Sequence, residues 1–508
     1  MTIHLTILLV WPLALALLGS FAPGRSSAAF ALVGALGPLV YAVLMLFDYD
    51  SVRGGLQYVT DDNWIPAMGI HYKLGVDGLN LWLVALTTLL FLASTLWLLL
   101  RPVPRAKLFA LHLGIAETAV LGAFLAQDLA LFVLFFDLML VPFYFLVGIW
   151  GGPNRTSAAL KMVIYTLVGS LLMLAAAVAT AVLSARGPGQ LTFVLSDLQR
   201  NLLPETTQRW VFIGFALAFL IKMPAFPFHG WMPDAYGNMP LPALAVFSGV
   251  VSKVAAYGFL RIALPLFPSP VHDWQTIFFV LALLSILYGS IVAFTQTNAR
   301  LILGYSSVAQ LGFITLGIFA LDPQGTGAQG ALLQAVNHGL VVAPMFFIVM
   351  LLAERTASED IRDMGGIALR APVLATLFLV ATFATLAIPG SANFVGEFLI
   401  LLGTFKSAVA VSIIASIGVV LASVYALRFY IRAMHNRPGR AVARGDLRWS
   451  DALVLVPLIA AVIAFALYPQ QALHDGQRAV RASVHQAVRG GAQTAAADQT
   501  ASTQAVTP

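Results

Sequence analysis

Apolar runs of about 20 residues, the length that crosses a hydrocarbon core, recur along nearly the whole chain. They lie at roughly 3–21, 28–47, 77–100, 106–127, 129–150, 157–184, 209–229, 240–264, 274–296, 300–321, 327–353, 371–403, 407–431 and 450–468. The pattern predicts an all-α polytopic membrane protein of about fourteen transmembrane helices. One loop, 51–76, breaks the pattern. Gly54, Gly55, Asn63 and Pro66 punctuate it, and Ile70-His71-Tyr72-Lys73-Leu74 alternates, so a small hairpin is expected there. From about 475 onward the chain is rich in Ala, Gln, Ser and Thr. It offers little to bury, and its end is expected to be disordered.

Only 10% of the 508 residues are charged, too few to cover a water-facing surface, so a soluble catalytic domain is excluded. The net charge of +6 does not indicate nucleic acid, because the basic residues sit in short loops between spans. With the N-terminus outside, the inner loops carry Arg25; Arg101, Arg105 and Lys107; Arg155; Arg300; and Arg355, Arg362 and Arg370. The last inner loop adds Arg432, Arg437, Arg440, Arg444 and Arg448. This bias places both termini on the outer side of a bacterial plasma membrane. No Lys or Arg precedes the first apolar run, which reads as a retained helix and not as a cleaved leader. Cysteine is absent, which excludes disulfides, thiolate iron–sulfur ligation and covalent c-type haem on this chain.

Two spans are interrupted by proline near their middles: the seventh at Pro224 and Pro227, the twelfth at Pro389-Gly390. In lipid such breaks persist only where protein or water satisfies the freed backbone groups. The breaks are five spans apart, and an odd offset inverts direction. Spans 4–8 and 9–13 therefore read as two inverted five-helix repeats, each with a proline-broken helix, which is a transporter pattern. Unrelated kinks, common in membrane helices, are the competing reading.

Ionisable residues inside the spans are the candidate chemistry. Each costs about 2.5–3.5 kcal/mol at mid-membrane. Glu117, Asp137, Lys222, Lys253, His338 and Glu397 lie within separate spans, and Lys161 sits nearer the end of the sixth. Asp137 follows Asp128 by nine residues, about 13 Å along a helix. Any one of them is also what a satisfied packing contact looks like. A series of both signs on separate helices points to a proton relay. A carboxylate and an ammonium about 8 Å apart at an effective dielectric near 20 interact by roughly 2 kcal/mol. That is close to the roughly 2.3 kcal/mol needed to move one charge through about 100 mV. Separating Asp137 from Lys222 would then drive the lysine's proton onward.

At these residues the chain resembles a known family. Lys222-Met-Pro-Ala-Phe-Pro-Phe-His229-Gly-Trp231-Met-Pro233-Asp234-Ala-Tyr236 is similar to the signature of the antiporter-like subunits of respiratory complex I. So are Tyr305-Ser-Ser-Val-Ala-Gln310-Leu-Gly312, Asn337-His338-Gly339 and Asp137-Leu-Met-Leu-Val-Pro142-Phe-Tyr144. Gly69-Ile-His-Tyr-Lys-Leu-Gly75-Val-Asp77-Gly78-Leu and Phe394-Val-Gly396-Glu397-Phe398 resemble the M-type branch, chain 4 of NADH–quinone oxidoreductase. The likeness covers the chain except its tail.

The resemblance implies a proton-translocating membrane-arm subunit. Asp137 would pair with Lys222, with Lys253 as central bridge, His338 as next relay and Glu397 as terminal group. Glu117 matches a further family glutamate, and Lys161 joins the relay. His229, Asp234 and Tyr305 are candidates for proton intake or support. NADH, FMN, iron–sulfur clusters and quinone would belong to partner subunits, leaving no cofactor or metal on this chain. Its partners would be other membrane-arm subunits, especially neighbouring antiporter-like chains, and the lipid bilayer, with no nucleic acid. The expected organisation is helices 1–3 and the hairpin in 1–105, the repeats in 106–270 and 271–435, and helix fourteen with the tail in 436–508. Two positions depart from the family pattern: Asp137 stands where glutamate is usual, and Tyr236 where histidine is usual. Related cation/proton antiporter subunits carry lysine at the position of Glu397, and membrane-bound hydrogenase subunits are a further alternative. A haem-binding cytochrome using His112, His229 and His338 is the reading from another class. Their neighbours give no paired-ligand arrangement.

Overall fold

Lipid supplies no hydrogen-bond partners, so apolar segments fold as helices that satisfy their own backbone. The computed structural model describes residues 4–185, 187, 190–437, 442, 443 and 445–504, with side chains up to 488 except those of 24 and 25. Arg440, Arg444 and the side chain of Arg25, assigned above to the positive face, lie outside the described residues.

The helices in chain order are α1 (Leu5–Phe21), α2 (Gly24–Asp48), α3 (Leu81–Leu100), α4 (Ala106–Leu125), α5 (Leu129–Trp150) and α6 (Arg155–Ser184). Then come α7 (Glu205–Lys222), α8 (Leu241–Leu266), α9 (Gln275–Thr295), α10 (Ala299–Ile318) and α11 (Thr326–Thr356). The last are α12 (Pro372–Thr385), α13 (Ala392–Ser407), α14 (Val409–Met434), α15 (Trp449–Leu467) and α16 (Pro469–Gln504). Among the described residues, eleven helices are long and apolar enough to cross a membrane, and α1 and α12 are shorter apolar helices.

Both proline breaks are present. After α7 ends at Lys222 the chain turns through 223–231 before a short helix, Met232–Asn238. Neighbours satisfy the opened backbone. Trp231 donates its indole N–H to the Ile221 carbonyl at 3.0 Å, and the Phe226 N–H donates to the Ser285 hydroxyl of α9 at 2.9 Å. The expected single span 371–403 is two helices, α12 and α13, separated at Pro389-Gly390.

Corresponding features recur in the two halves. Asp128 caps α5, accepting from the Ala130 and Leu131 N–H groups, and Asn298 caps α10 through Arg300 and Leu301. Each capping residue sits in a small antiparallel bridge. Leu129 N donates to Phe193 O and Leu195 N to Gln127 O; Ala299 N donates to Glu359 O and Ile361 N to Thr297 O.

The expected hairpin forms from β1 (Gln57–Ile65) and β2 (Ile70–Val76), paired antiparallel. It is tied down where the His71 N–H donates to Asp128 at 3.0 Å. The tail departs from expectation. It is helical to Gln504, and over 480–487 Val480, Val484 and Ala487 recur at helical spacing and bury one face that average composition conceals. The tail's last residues, 505–508, lie outside the described residues. The Trp82 indole of α3 donates to Asp475 of α16 at 3.1 Å. At Gly78 an added Cβ would lie 2.0 Å from the Asp475 carbonyl oxygen, so only glycine lets the chain before α3 approach α16 so closely.

Candidate functional site

Pro142 lacks the N–H that would pair with the carbonyl four residues earlier, and the helix of α5 is interrupted at Met139. Asp137 sits at this interruption, half-buried, with Ser170 of α6 beside its carboxylate. Lys222, at the end of α7 before its break, reaches the same place. Its ammonium donates to the Phe136 carbonyl at 2.6 Å and lies 3.6 Å from the centre of the Phe136 ring. A cation over an aromatic face is attracted by the ring's quadrupole. Asp137 and Lys222 are thus neighbours, but no ion pair within 4.0 Å joins them among the described residues. A small internal cavity touches Lys222, lined also by Met139, Phe143, Thr166 and Trp231.

Lys253 lies on α8 between two π-helical turns, Phe247–Val251 and Phe259–Ala263. Such turns shift backbone pairing and are frequent at functional sites. The ammonium is 0% exposed and donates to the Ser248 carbonyl at 2.6 Å. Facing it on α11 is His338, also buried and close enough to Lys253 to interact electrostatically. Ser248 continues to α10 through Ser307, hydroxyl to hydroxyl at 3.4 Å.

The row ends on α13. Glu397 accepts from the side-chain amides of Gln310 of α10 at 2.8 Å and Gln334 of α11 at 3.4 Å, while Gln334 donates to Gln310 at 2.7 Å. Tyr425 of α14 lies near this carboxylate and shares a 2.8 Å hydrogen bond with Ser306. Glu117 is buried on α4. Among the described residues, one carboxylate oxygen each of Glu117, Asp137 and Glu397, and Nδ1 of both His229 and His338, have no hydrogen-bond partner. Buried polar atoms are normally paired, so a succession of partnerless titratable groups needs a functional explanation.

The other candidates sit apart from this row. His229 follows the α7 break, with its ring 4.9 Å from that of Tyr288 and 6.3 Å from that of Tyr305. Lys161 pairs with Asp234 at 2.7 Å, and both side chains are partly exposed, unlike the buried row. Sequence reasoning gave no role to Gln334, Ser248, Ser307 or Tyr425. Their only signal was a polar side chain inside an apolar run. It also missed the ion pair of Arg261 with Asp77 that joins α8 to the end of the hairpin. Among the described residues no three His, Asp or Glu side chains converge as metal ligands.

Fold and site together define a polytopic membrane protein with two proline-broken helices and a buried polar axis. Residues 126–423 match the family described as NADH:quinone oxidoreductase/Mrp antiporter, TM, and the chain belongs to that family. It is 35% identical over 461 residues to NADH-quinone oxidoreductase subunit M of Rhodobacter capsulatus, covering 88% of each chain. A chain in respiratory complex I from Thermus thermophilus with bound NADH superposes with a TM-score of 0.87 at 29% identity, covering 97% of this chain and 100% of that one. A chain of the Mrp complex from a Dietzia species shares the fold, with a TM-score of 0.80 at 18% identity over 94% of this chain and 52% of that one.

Proposed function

We propose that this chain is the M-type subunit in the membrane arm of a bacterial proton-translocating NADH–quinone oxidoreductase, carrying protons while partner subunits carry electrons. The observation behind this reading is the buried succession from Lys222 at Phe136, through Lys253 and His338, to Glu397 with Gln310 and Gln334. Asp137 modulates Lys222, Lys253 bridges to His338, and Glu397 ends the path. Glu117 supplies a further buried carboxylate on α4. His229, Tyr305 and the Lys161–Asp234 pair stand at an intake by the α7 break. No step requires a redox group here; NADH, FMN, iron–sulfur clusters and quinone belong to other subunits.

The chain makes about fourteen crossings when α7 with its continuation, and α12 with α13, each count once. The matching caps and bridges at Asp128 and Asn298 support two repeats in 106–270 and 271–435. The arginine-rich loops lie in the cytoplasm and both termini outside. Neighbouring antiporter-like chains flank it in the bilayer.

Lys222→Met in the assembled enzyme tests the relay. Proton uptake by vesicles driven by NADH should fall while the subunit stays in the complex; undiminished uptake contradicts it. Copurification separates the antiporter reading: iron–sulfur and flavin subunits should accompany the chain, and sodium-dependent proton exchange without NADH oxidation would replace the proposal.

A further inference from the structure

On the arginine-rich face a pocket of about 520 Å³ opens between four helix ends, lined by Pro104, Arg105, Phe109, Trp150, Arg155 and Pro240 among others. Arg105 directly precedes α4 and Arg155 is the first residue of α6. A cation there faces the positive end of a helix dipole, an unfavourable placement by itself. Among the described residues neither N-cap residue, Arg105 or Asn154, caps its helix with its own side chain; at α6 the Asn154 N–H instead donates to the Asn238 side chain at 3.1 Å. Two other arginines on this face are neutralised, Arg101 by Glu354 and Asp451, and Arg300 by Glu359. Among the described residues neither Arg105 nor Arg155 has a carboxylate within 4.0 Å. Lys107 is occupied at the Ala22 carbonyl.

We infer that this pocket binds the phosphodiester of an anionic phospholipid headgroup between Arg105 and Arg155. Two guanidinium forks match phosphate oxygens, and the N–H groups of Ala106, Lys107, Thr156 and Ser157, which have no acceptor among the described residues, add to the positive field. A lipid suits the pocket better than a free anion. Phe109 and Ile149 give it an apolar wall, and Trp150, at the boundary where indole rings anchor, holds the pocket's rim by donating to the Pro104 carbonyl at 2.6 Å. Basic pockets between helices on this face of a membrane protein recognise acidic headgroups. The inference rests on the membrane setting and is independent of the proton path.

A photoreactive phosphatidylglycerol, added to the purified membrane complex, should label this chain within 103–109 and 149–155. Vesicles of phosphatidylglycerol should compete, whereas phosphatidylcholine vesicles and excess inorganic phosphate should not. Arg105→Gln with Arg155→Gln should lower labelling at limiting probe by roughly thirtyfold, and Lys at both positions should restore most of it. Equal competition by phosphatidylcholine overturns the inference, as does displacement by inorganic phosphate, which would make the pocket a free-anion site. Undiminished labelling of the double variant overturns it too. The competition in unaltered protein decides the matter even when a variant fails to assemble.

Discussion

Gly249 of α8 and Gly339 of α11 cross so closely that a Cβ on Gly339 would lie 2.4 Å from the Gly249 carbonyl oxygen. Glycine at such a crossing lets two membrane helices touch backbone to backbone. His338 is adjacent to Gly339, and Lys253 is one turn beyond Gly249, so the close approach sets the spacing of the two titratable groups. Gly339→Ala should force the helices apart and cost about 1–3 kcal/mol. A lowered melting temperature of the detergent-solubilised complex, with proton uptake falling more than NADH oxidation, would show this. An unchanged melting temperature would mean that the crossing has slack.

Glu397→Gln keeps the length of the side chain and an acceptor for Gln310 but removes the exchangeable proton. Proton uptake should fall roughly tenfold or more. Leucine in place of Gln310 should leave a residual signal, since the carboxylate survives. If the glutamine variant of Glu397 takes up protons normally, the path ends elsewhere.

Outside the membrane, burial pushes the Asp61 carboxyl up, but hydrogen bonds from Lys73 and His71 outweigh this and hold it below the usual carboxylate range. The lowered folded value stabilises the hairpin above the unfolded value of about 4. That contribution is lost as pH falls through the folded value. The exposed setting limits it to under about 1 kcal/mol. Amide exchange in β1 and β2, corrected for intrinsic rates, should accelerate as pH falls from about 4 through the lowered folded value. Asp61→Asn should abolish that acceleration. Protection independent of pH in the unaltered hairpin would contradict the assignment.

Much of this arrangement was readable in advance, and the reason is cost. A charge such as Lys253 or Glu397 inside an apolar run is too expensive to be incidental. Pro224 and Pro389 mark breaks because proline cannot complete a helical hydrogen bond. Other parts left no such mark. The amides of Gln310 and Gln334 cost far less to bury, and they meet Glu397 only through the packing of three helices. The preference of Lys222 for the Phe136 carbonyl depends on side-chain direction, which sequence spacing does not specify. Lys161 looks like Lys222 in sequence, yet it is partly exposed and paired with Asp234.

The burial of the tail's first part was missed because an average over Ala, Gln and Ser hides three small apolar residues on one face of α16. Its docking gives a further expectation. Gly78→Ala would place a methyl against the Asp475 backbone and loosen α16, raising protease cleavage within 469–488 about tenfold through a cost of roughly 1–2 kcal/mol. Unaltered cleavage would show that α16 is held mainly through its other contacts.

Lys253→Met offers the most direct test of the buried relay, because methionine fills similar space and removes a charge that is costly to bury. The assembled enzyme should retain this subunit and its NADH oxidation site, while protons taken up per NADH oxidised decrease. A Lys253→Met enzyme with the unaltered proton-to-NADH ratio would show that protons do not pass between Lys222 and Glu397 by way of this lysine.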